Sequence, residues 1–147
     1  MNNVKRTKYH QMKGFTLIEI IVVVVIIGLL AAVIAPNILG QVEEARVKKA
    51  LSDLRALESA LNLYRLDNFN YPSTEQGLEA LVTKPSGDLE AKNWRKGGYI
   101  QRMPLDPWKN EYQYTNSGAA IDIFTYGADG RLGGEDGNKD LSTADLR

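Results

Sequence analysis

The chain has 147 residues, which is enough for one small domain besides a membrane segment, and it carries 18 basic and 18 acidic residues. It contains no cysteine, which excludes disulfides, thiolate metal sites and cysteine nucleophiles. Its only histidine, His10, lies close to the N-terminus, so the later residues lack the usual imidazole base. This composition argues against an enzyme, and the absence of a basic stripe argues against nucleic-acid binding.

A basic leader precedes a long apolar run. The leader, 1–14, contains no acid and four basic residues, Lys5, Arg6, Lys8 and Lys13, so its removal would leave 14 basic and 18 acidic residues. The run 15–35 would be about 31 Å long as a helix, which matches a hydrocarbon core of about 30 Å. Basic residues before the run and the acidic pair Glu43 and Glu44 after it predict a cytoplasmic leader and an external remainder.

One acidic residue, Glu19, lies within the apolar run. A carboxylate in a membrane span costs roughly 2.5–3.5 kcal/mol, so it requires a partner. Cleavage after Gly14 would create an α-amino group on Phe15, about one helical turn from Glu19. An ordinary secretory signal would be cut behind the run, where Pro36 would directly follow the cut. An uncleaved signal anchor is the alternative, although an anchor gains nothing from a buried carboxylate.

A second helical pattern follows Pro36, which we expect to kink or locally melt one long helix. An apolar face with spacings of three and four residues extends to about Leu66 and consists of Val47, Ala50, Leu54, Leu57, Leu61 and Tyr64. Glu44 and Lys48 form a possible supporting pair on another face. A short coiled coil is the competing interpretation, but the pattern covers fewer than three heptads.

The remaining segments predict a short helix, a loop and a hairpin. Ser73 and Gln76 form a capping-box pattern in front of a helix that ends near Thr83. The polar segment 86–98 is expected to be a loop around a packed Trp94. Segments 111–115 and 121–126 alternate in polarity around a turn at 116–118, which predicts an antiparallel hairpin. The sequence therefore predicts an α+β fold in which a long N-terminal helix packs on a small antiparallel sheet.

An acidic, glycine-rich segment follows the hairpin. Five of the 11 residues in 127–137 are glycine, and the carboxylates in and after this segment are Asp129, Glu135, Asp136 and Asp140. Carboxylates on a flexible backbone supply the oxygen ligands that Ca²⁺ prefers. An EF-hand is excluded because its third and fifth loop positions would be Arg131 and Gly133. From composition alone, a disordered acidic tail is an equal alternative to a calcium loop.

Several separated motifs resemble those of one protein family. The leader and apolar run read KGFTLIE and IIVVVVIIGLLAAVIAP, and they resemble the class III signal of the type IV pilin and pseudopilin superfamily. Downstream, the chain reads LDNFNYPSTEQGLEALVTKP, MPLDPWKNEYQY and YGADGRLGGEDGNKDL, and these segments look like the major pseudopilins of type II secretion systems. The resemblance implies that a prepilin peptidase cleaves after Gly14 and methylates the amine of Phe15. It also implies that Glu19 supports filament assembly, and we assign Pro36 to the same assembly segment.

The resemblance further implies a pilin-like fold with a leader (1–14), a transmembrane and filament-core helix (15–40) and a periplasmic globular domain (41–147). Such a subunit would be a single-pass inner-membrane precursor that polymerises into a periplasmic filament supporting the export of folded proteins. Its implied partners are further copies of itself, minor pseudopilins, the prepilin peptidase and the inner-membrane secretion platform. A type IV pilin of a surface fibre is the alternative function, and a membrane-anchored periplasmic calcium-binding module is another.

The resemblance also implies a Ca²⁺ ligand set in the acidic segment. Asp129 and Asp140 would contribute side chains, Tyr126 and Arg131 would contribute backbone carbonyls, and Asp136 is an additional candidate carboxylate. After Asp140 the chain reads Leu-Ser-Thr-Ala-Asp-Leu-Arg, where many relatives end in Ile-Gly-Asn-Trp. A ligand or packing contact drawn from that ending therefore does not carry over to this chain.

Overall fold

The computed structural model describes residues 14–87 and 91–146, with side chains except at 33–39. The predicted leader, apart from Gly14, lies outside these residues. The chain divides into two compact units, Met1–Gly40 and Gln41–Arg147. A single helix, α1 (Leu17–Asn68), contributes to both units.

Helix α1 is 52 residues long and is uninterrupted. Of the two effects expected at Pro36, local melting is therefore wrong, whereas a kink stays a prediction. A proline removes one amide donor, and the hydrogen bonds of the flanking turns can hold the helix on both sides of it. The helix ends at Asn68, slightly later than predicted, and Phe69 then adopts a left-handed backbone with φ of 66°. Within the described part of the chain, no helix combines the length and apolarity required to cross a membrane.

The apolar face predicted for the second half of α1 is confirmed. Five of its side chains are at most 1% exposed, namely Ala50, Leu54, Leu57, Leu61 and Tyr64. They form one core with residues from the sheet and the preceding segment, including Leu78, Leu81, Tyr112, Tyr114, Ile123 and Leu141. On an exposed face, the predicted ion pair between Glu44 and Lys48 is present at 2.6 Å. The hydrogen bond and the charge of Lys48 lower the pKa of Glu44.

The predicted hairpin is confirmed, and it is part of a three-stranded antiparallel sheet. Strand β1 (Gln113–Asn116) pairs with β2 (Ile121–Thr125), with Tyr114 opposite Ile123. A further strand, β3 (Leu141–Ser142), pairs with the other edge of β2. Leu141 is buried, so the C-terminal segment that departs from the family pattern still packs into the core.

The segment between α1 and the sheet follows the predicted order with one difference. The Ser73 and Gln76 capping box is confirmed, since Gln76 N donates to Ser73 Oγ at 3.1 Å and Ser73 N donates to Gln76 Oε1 at 3.0 Å. The helix after it is a single 3₁₀ turn, Leu78–Leu81, because Gly77 adopts φ of 59° and separates the capped turn from it. Trp94 packs as predicted and donates from Nε1 to Ala80 O at 2.9 Å.

Two buried tyrosines, Tyr112 directly before β1 and Tyr114 within it, connect this part of the chain to the rest of the unit. Tyr112 Oη donates to Asp53 Oδ2 on α1 at 3.1 Å, and Tyr114 Oη donates to Pro72 O at 2.8 Å. Burial raises the pKa of both phenols well above the usual value. Both side chains therefore remain protonated donors across the physiological pH range.

From the packing of the core, we expect truncation of two leucines on α1 to change the free energy of unfolding by different amounts. Leu54→Ala should lower the free energy of unfolding of the 41–147 unit by about 2–5 kcal/mol, because Leu54 is fully buried and its truncation leaves a cavity. Leu66→Ala is the matched control, since Leu66 is 72% exposed and its truncation should change stability by about 0.5 kcal/mol or less. Urea unfolding followed by circular dichroism measures both. Equal losses for the two variants would contradict this packing.

Candidate functional site

The N-terminus of α1 holds Glu19 in a capping box. Helix α1 begins after Thr16, and Glu19 N donates to Thr16 Oγ1 at 3.3 Å. In return, Thr16 N donates to Glu19 Oε2 at 3.4 Å. The pair satisfies two amides that a helix start otherwise leaves without partners. The backbone amide of Thr16 is therefore a hydrogen-bond partner of the Glu19 carboxylate within the same chain.

This capping role was not predicted, although the signal Thr-x-x-Glu stands directly in front of the apolar run. Both bonds are long and lie on an exposed part of the chain, so water or another donor can compete for the carboxylate. Phe15 lies four residues before Glu19 and is itself exposed. Gly14, Phe15 and Glu19 thus all lie at or just before the exposed start of α1, and their roles in processing and assembly stay predictions.

The helix that follows is apolar on every side and is exposed. Eight consecutive apolar side chains, at 20–27, are each between 48% and 61% exposed. Leu29 and Leu30 continue this surface. A contiguous apolar surface of this kind marks a site of protein or membrane interaction, because leaving it in water is unfavourable. Pro36 lies further along the same helix, in the part whose side chains are not described.

The acidic segment after β2 folds into a closed loop, 126–140. It contains two short 3₁₀ helices, Gly127–Asp129 and Asp136–Asn138. Gly127 and Gly134 both have positive φ and lie so close to the backbone of Asn138 that an added Cβ would overlap it. The close approach, together with the positive φ, explains why glycine is required at these two positions.

The two aspartates expected to bind metal through their side chains are both fixed to loop amides. Arg131 N donates to Asp129 Oδ1 at 3.1 Å, and Gly133 N donates to Asp140 Oδ2 at 2.9 Å. The other oxygen of Asp140, Oδ1, is buried and has no hydrogen-bond partner. A buried carboxylate oxygen without a partner is costly, and a cation is one of the groups that would satisfy it.

For two of the other predicted ligands, Tyr126 and Asp136, the structure describes the ring packing and the backbone conformation. Tyr126 ends the strand region, and its ring packs edge-on against Phe124 at 5.3 Å. Asp136 adopts φ of 51° at the start of the second 3₁₀ helix and is exposed. Among the described residues, no three acidic or imidazole side chains lie together as a metal-binding group. A cation in this loop would therefore depend on backbone carbonyls besides Asp129 and Asp140.

A buried aspartate outside the predicted site organises the loop that borders it. Asp106 Oδ1 accepts hydrogen bonds from Trp108 N at 2.9 Å and Asn110 N at 2.7 Å, and its Oδ2 accepts from the hydroxyl of Thr125. Asn110 Nδ2 then donates to Gly127 O at 3.1 Å. The segment 106–110 is thereby attached to the start of the acidic loop. The turn chemistry of Asp106-Pro107 was visible in the sequence, but its partner Thr125 is distant along the chain.

Comparison with known proteins assigns the family. The model of type II secretion system (T2SS) protein G matches residues 37–144, and the model of the prokaryotic N-terminal methylation motif matches residues 10–35. The type II secretion system core protein G of Pseudomonas aeruginosa is 50% identical over 138 residues, which cover 92% of this chain and 97% of the relative. The protein of the same name in Vibrio cholerae is 52% identical over 142 residues, which cover 95% and 97%.

A solved structure supports the same assignment. The crystal structure of the major pseudopilin from the type 2 secretion system of enterohaemorrhagic Escherichia coli matches with a TM-score of 0.64 at 50% identity. The match covers 74% of this chain and 94% of that chain. The pilin-like α+β fold and the resemblance predicted from the motifs are thus confirmed. The chain belongs to the type II secretion system protein G family, the major pseudopilins, and is a structural subunit of a pseudopilus and not an enzyme.

Proposed function

We propose that the mature subunit polymerises by packing the exposed apolar part of α1 against the same helix of other copies, so that the globular units lie outside. The observation that carries this proposal is the apolar surface at 20–27, which is exposed on all sides of the helix. The unit Gln41–Arg147 has its own buried core and needs no partner to close it. Only association with other molecules can remove the surface at 20–27 from water.

Before assembly, we propose that the apolar first part of α1 spans the inner membrane. As a helix, the sequence run 15–35 would be about 31 Å long and would match a hydrocarbon core, although the part described with side chains ends at residue 32 and does not qualify as a span by itself. The basic residues of the leader favour its cytoplasmic side. The globular unit would then be periplasmic. We propose that the prepilin peptidase, the inner-membrane secretion platform and minor pseudopilins act on this precursor or join its filament, which supports the export of folded proteins.

The processing step is proposed to supply the partner of Glu19 during assembly. Cleavage after Gly14 creates an amine on Phe15, and methylation of that amine preserves its positive charge. In an apolar filament core, the charge of Glu19 is costly unless it is paired, so the amine of an adjacent copy favours docking in one register. The weak capping bond from Thr16 N to Glu19 leaves the carboxylate able to accept this second donor.

The first test concerns processing. Gly14→Leu should leave unprocessed precursor in the inner membrane, because a bulky residue blocks the peptidase. Among the described residues, no atom beyond the adjacent ones lies within 4 Å of a Cβ at Gly14, so the start of α1 leaves space at this position. Gly14→Ala is the control for a small side chain at the same position, and this variant should be processed. Mass spectrometry of the mature N-terminus reads the outcome, and an intact leader in assembled filaments would contradict the scheme.

The second test separates the charge of Glu19 from its capping role. Glu19→Gln keeps an oxygen that can accept from Thr16 N but removes the charge, so insertion should be normal and filament yield should fall at least about tenfold. Glu19→Ala removes both functions and should assemble no better. A pairing energy of about 1.4 kcal/mol per contact corresponds to this tenfold change. Filaments sheared from cells are quantified by immunoblotting, and wild-type yield from Glu19→Gln would refute the pairing.

Calcium is proposed to complete the acidic loop. Asp129 and Asp140 would hold the ion through side-chain oxygens, Tyr126 and Arg131 through backbone carbonyls, with Asp136 as a further carboxylate. The buried Oδ1 of Asp140, which lacks a protein partner, supports this assignment. A bound dication supplies the positive charge that offsets repulsion among the carboxylates of the loop. The export of the domain makes millimolar affinity sufficient, as in extracellular calcium modules.

The third test measures calcium-dependent stability. A fragment spanning 41–147 should melt at a higher temperature in Ca²⁺ than in chelator, because binding at a hundredfold excess over Kd adds roughly 2.7 kcal/mol. Asp129→Ala and Asp140→Ala should abolish this difference, whereas Glu75→Ala, an exposed acid outside the loop, should preserve it. Mg²⁺ should substitute poorly because it requires a tighter octahedron. Equal melting curves in Ca²⁺ and chelator would remove the metal from the proposed function.

A further inference from the structure

The acidic loop lies directly against one side chain of α1. A Cβ added to Gly137 would lie 2.5 Å from Oε1 of Glu43 and 2.7 Å from its carboxyl carbon. The backbone of the loop and the Glu43 carboxylate are therefore in close contact, with no space for a side chain between them. Both residues belong to the same compact unit, and Glu43 lies shortly after its first residue, Gln41.

Glu43 also connects this contact to a tryptophan. Trp108 Nε1 donates to Glu43 Oε1 at 3.1 Å, and Arg46 donates to Glu43 Oε2 at 3.2 Å. Trp108 belongs to the segment 106–110, which Asn110 ties to Gly127 at the start of the acidic loop. One carboxylate therefore contacts the middle of the loop, an indole of the bordering segment and a cation on α1.

The charge of Glu43 makes this contact sensitive to a cation in the loop. The loop and its end carry four carboxylates, at Asp129, Glu135, Asp136 and Asp140. Glu43 adds a fifth negative charge on the adjoining helix, which Arg46 offsets only partly because both side chains are partly exposed. A dication bound in the loop would attract the Glu43 carboxylate, which already lies against the loop backbone at Gly137.

We propose that Glu43 is a positioning residue that couples cation occupancy of the acidic loop to Trp108 and to the first turns of α1 in the globular unit. This inference rests on the proposed binding of calcium. The segment of α1 near Glu43 leads towards the part of the helix proposed to form the filament core. Calcium would thus order that segment as well as the loop that holds the ion.

Four variants separate the steps of this coupling. Glu43→Gln removes the charge but retains an oxygen that can accept from Trp108, and Glu43→Ala removes both. Gly137→Ala acts from the loop side, because its Cβ would displace the carboxylate from Trp108 while leaving every charge in place. Glu44→Gln is the matched control. Glu44 is the next residue and is paired with Lys48, but its side chain is 66% exposed, against 32% for Glu43.

The experiment uses the full-length processed protein in detergent, with Trp94→Phe so that Trp108 is the only tryptophan. Calcium is titrated while Trp108 emission and the melting temperature are recorded. In this background calcium should change the emission and raise the melting temperature. Glu43→Gln and Glu43→Ala should raise the half-saturating calcium concentration roughly fourfold, since each removes one charge that attracts a dication. Glu43→Ala and Gly137→Ala should also lose the change in emission, and Glu44→Gln should resemble the background.

The outcomes distinguish this inference from the calcium proposal. If calcium changes neither signal in the background protein, calcium binding fails and this inference fails with it. If calcium acts normally in the background and equally in both Glu43 variants, only the role of Glu43 is overturned. A merely structural Glu43 would lower the melting temperature of Glu43→Ala by the same amount in calcium and in chelator, and that result also overturns the proposal.

Discussion

One helix must satisfy two different surroundings, and the rest of the molecule follows from that constraint. In its second half, α1 has an apolar face that Leu54, Leu57 and Leu61 bury against the sheet. In its first half, the apolar residues cover every side, and nothing within the described chain buries them. The folded unit therefore has its own core, whereas the exposed helix presents an apolar surface that favours association with lipid or with other molecules. In the proposed filament, the second half of α1 packs within its own subunit and the first half packs between subunits.

The globular unit has few sources of stability apart from its core. It contains no cysteine, its sheet has three short strands, and an acidic loop occupies the region between β2 and β3. The glycines that allow this loop to close also increase the entropy that its closure costs. A cation that satisfies Asp140 Oδ1 would offset both the repulsion among the carboxylates of the loop and the entropic cost of closing the loop. The contact between the loop and Glu43 then offers a route by which the same cation affects α1.

The features that the sequence predicted are those with local signals. The apolar face of α1, the Ser73 capping box and the hairpin each depend on spacings within a few residues, and all three are confirmed. The features that it missed depend on distant partners or on competing local effects. Strand β3 is two residues long and exists only because β2 pairs with it, and the role of Asp106 requires Thr125. At Pro36 the local breaker signal did not interrupt the helix, since a proline removes only one amide donor. For the acidic loop, metal binding by Asp129 and Asp140 stays a prediction, and the sequence gave no sign of the contact between Gly137 and Glu43.

Thiol labelling tests most directly whether the apolar helix forms the filament core. Because the chain has no cysteine, single cysteines can be introduced at each position of 20–27, with Ala119→Cys in the exposed hairpin turn as the reference. In purified filaments free of membrane, every helix position should react slowly with a charged maleimide, and Ala119→Cys should react rapidly. Rapid labelling that recurs every three or four residues would show that one side of the helix faces water, which would contradict a core packed on all sides.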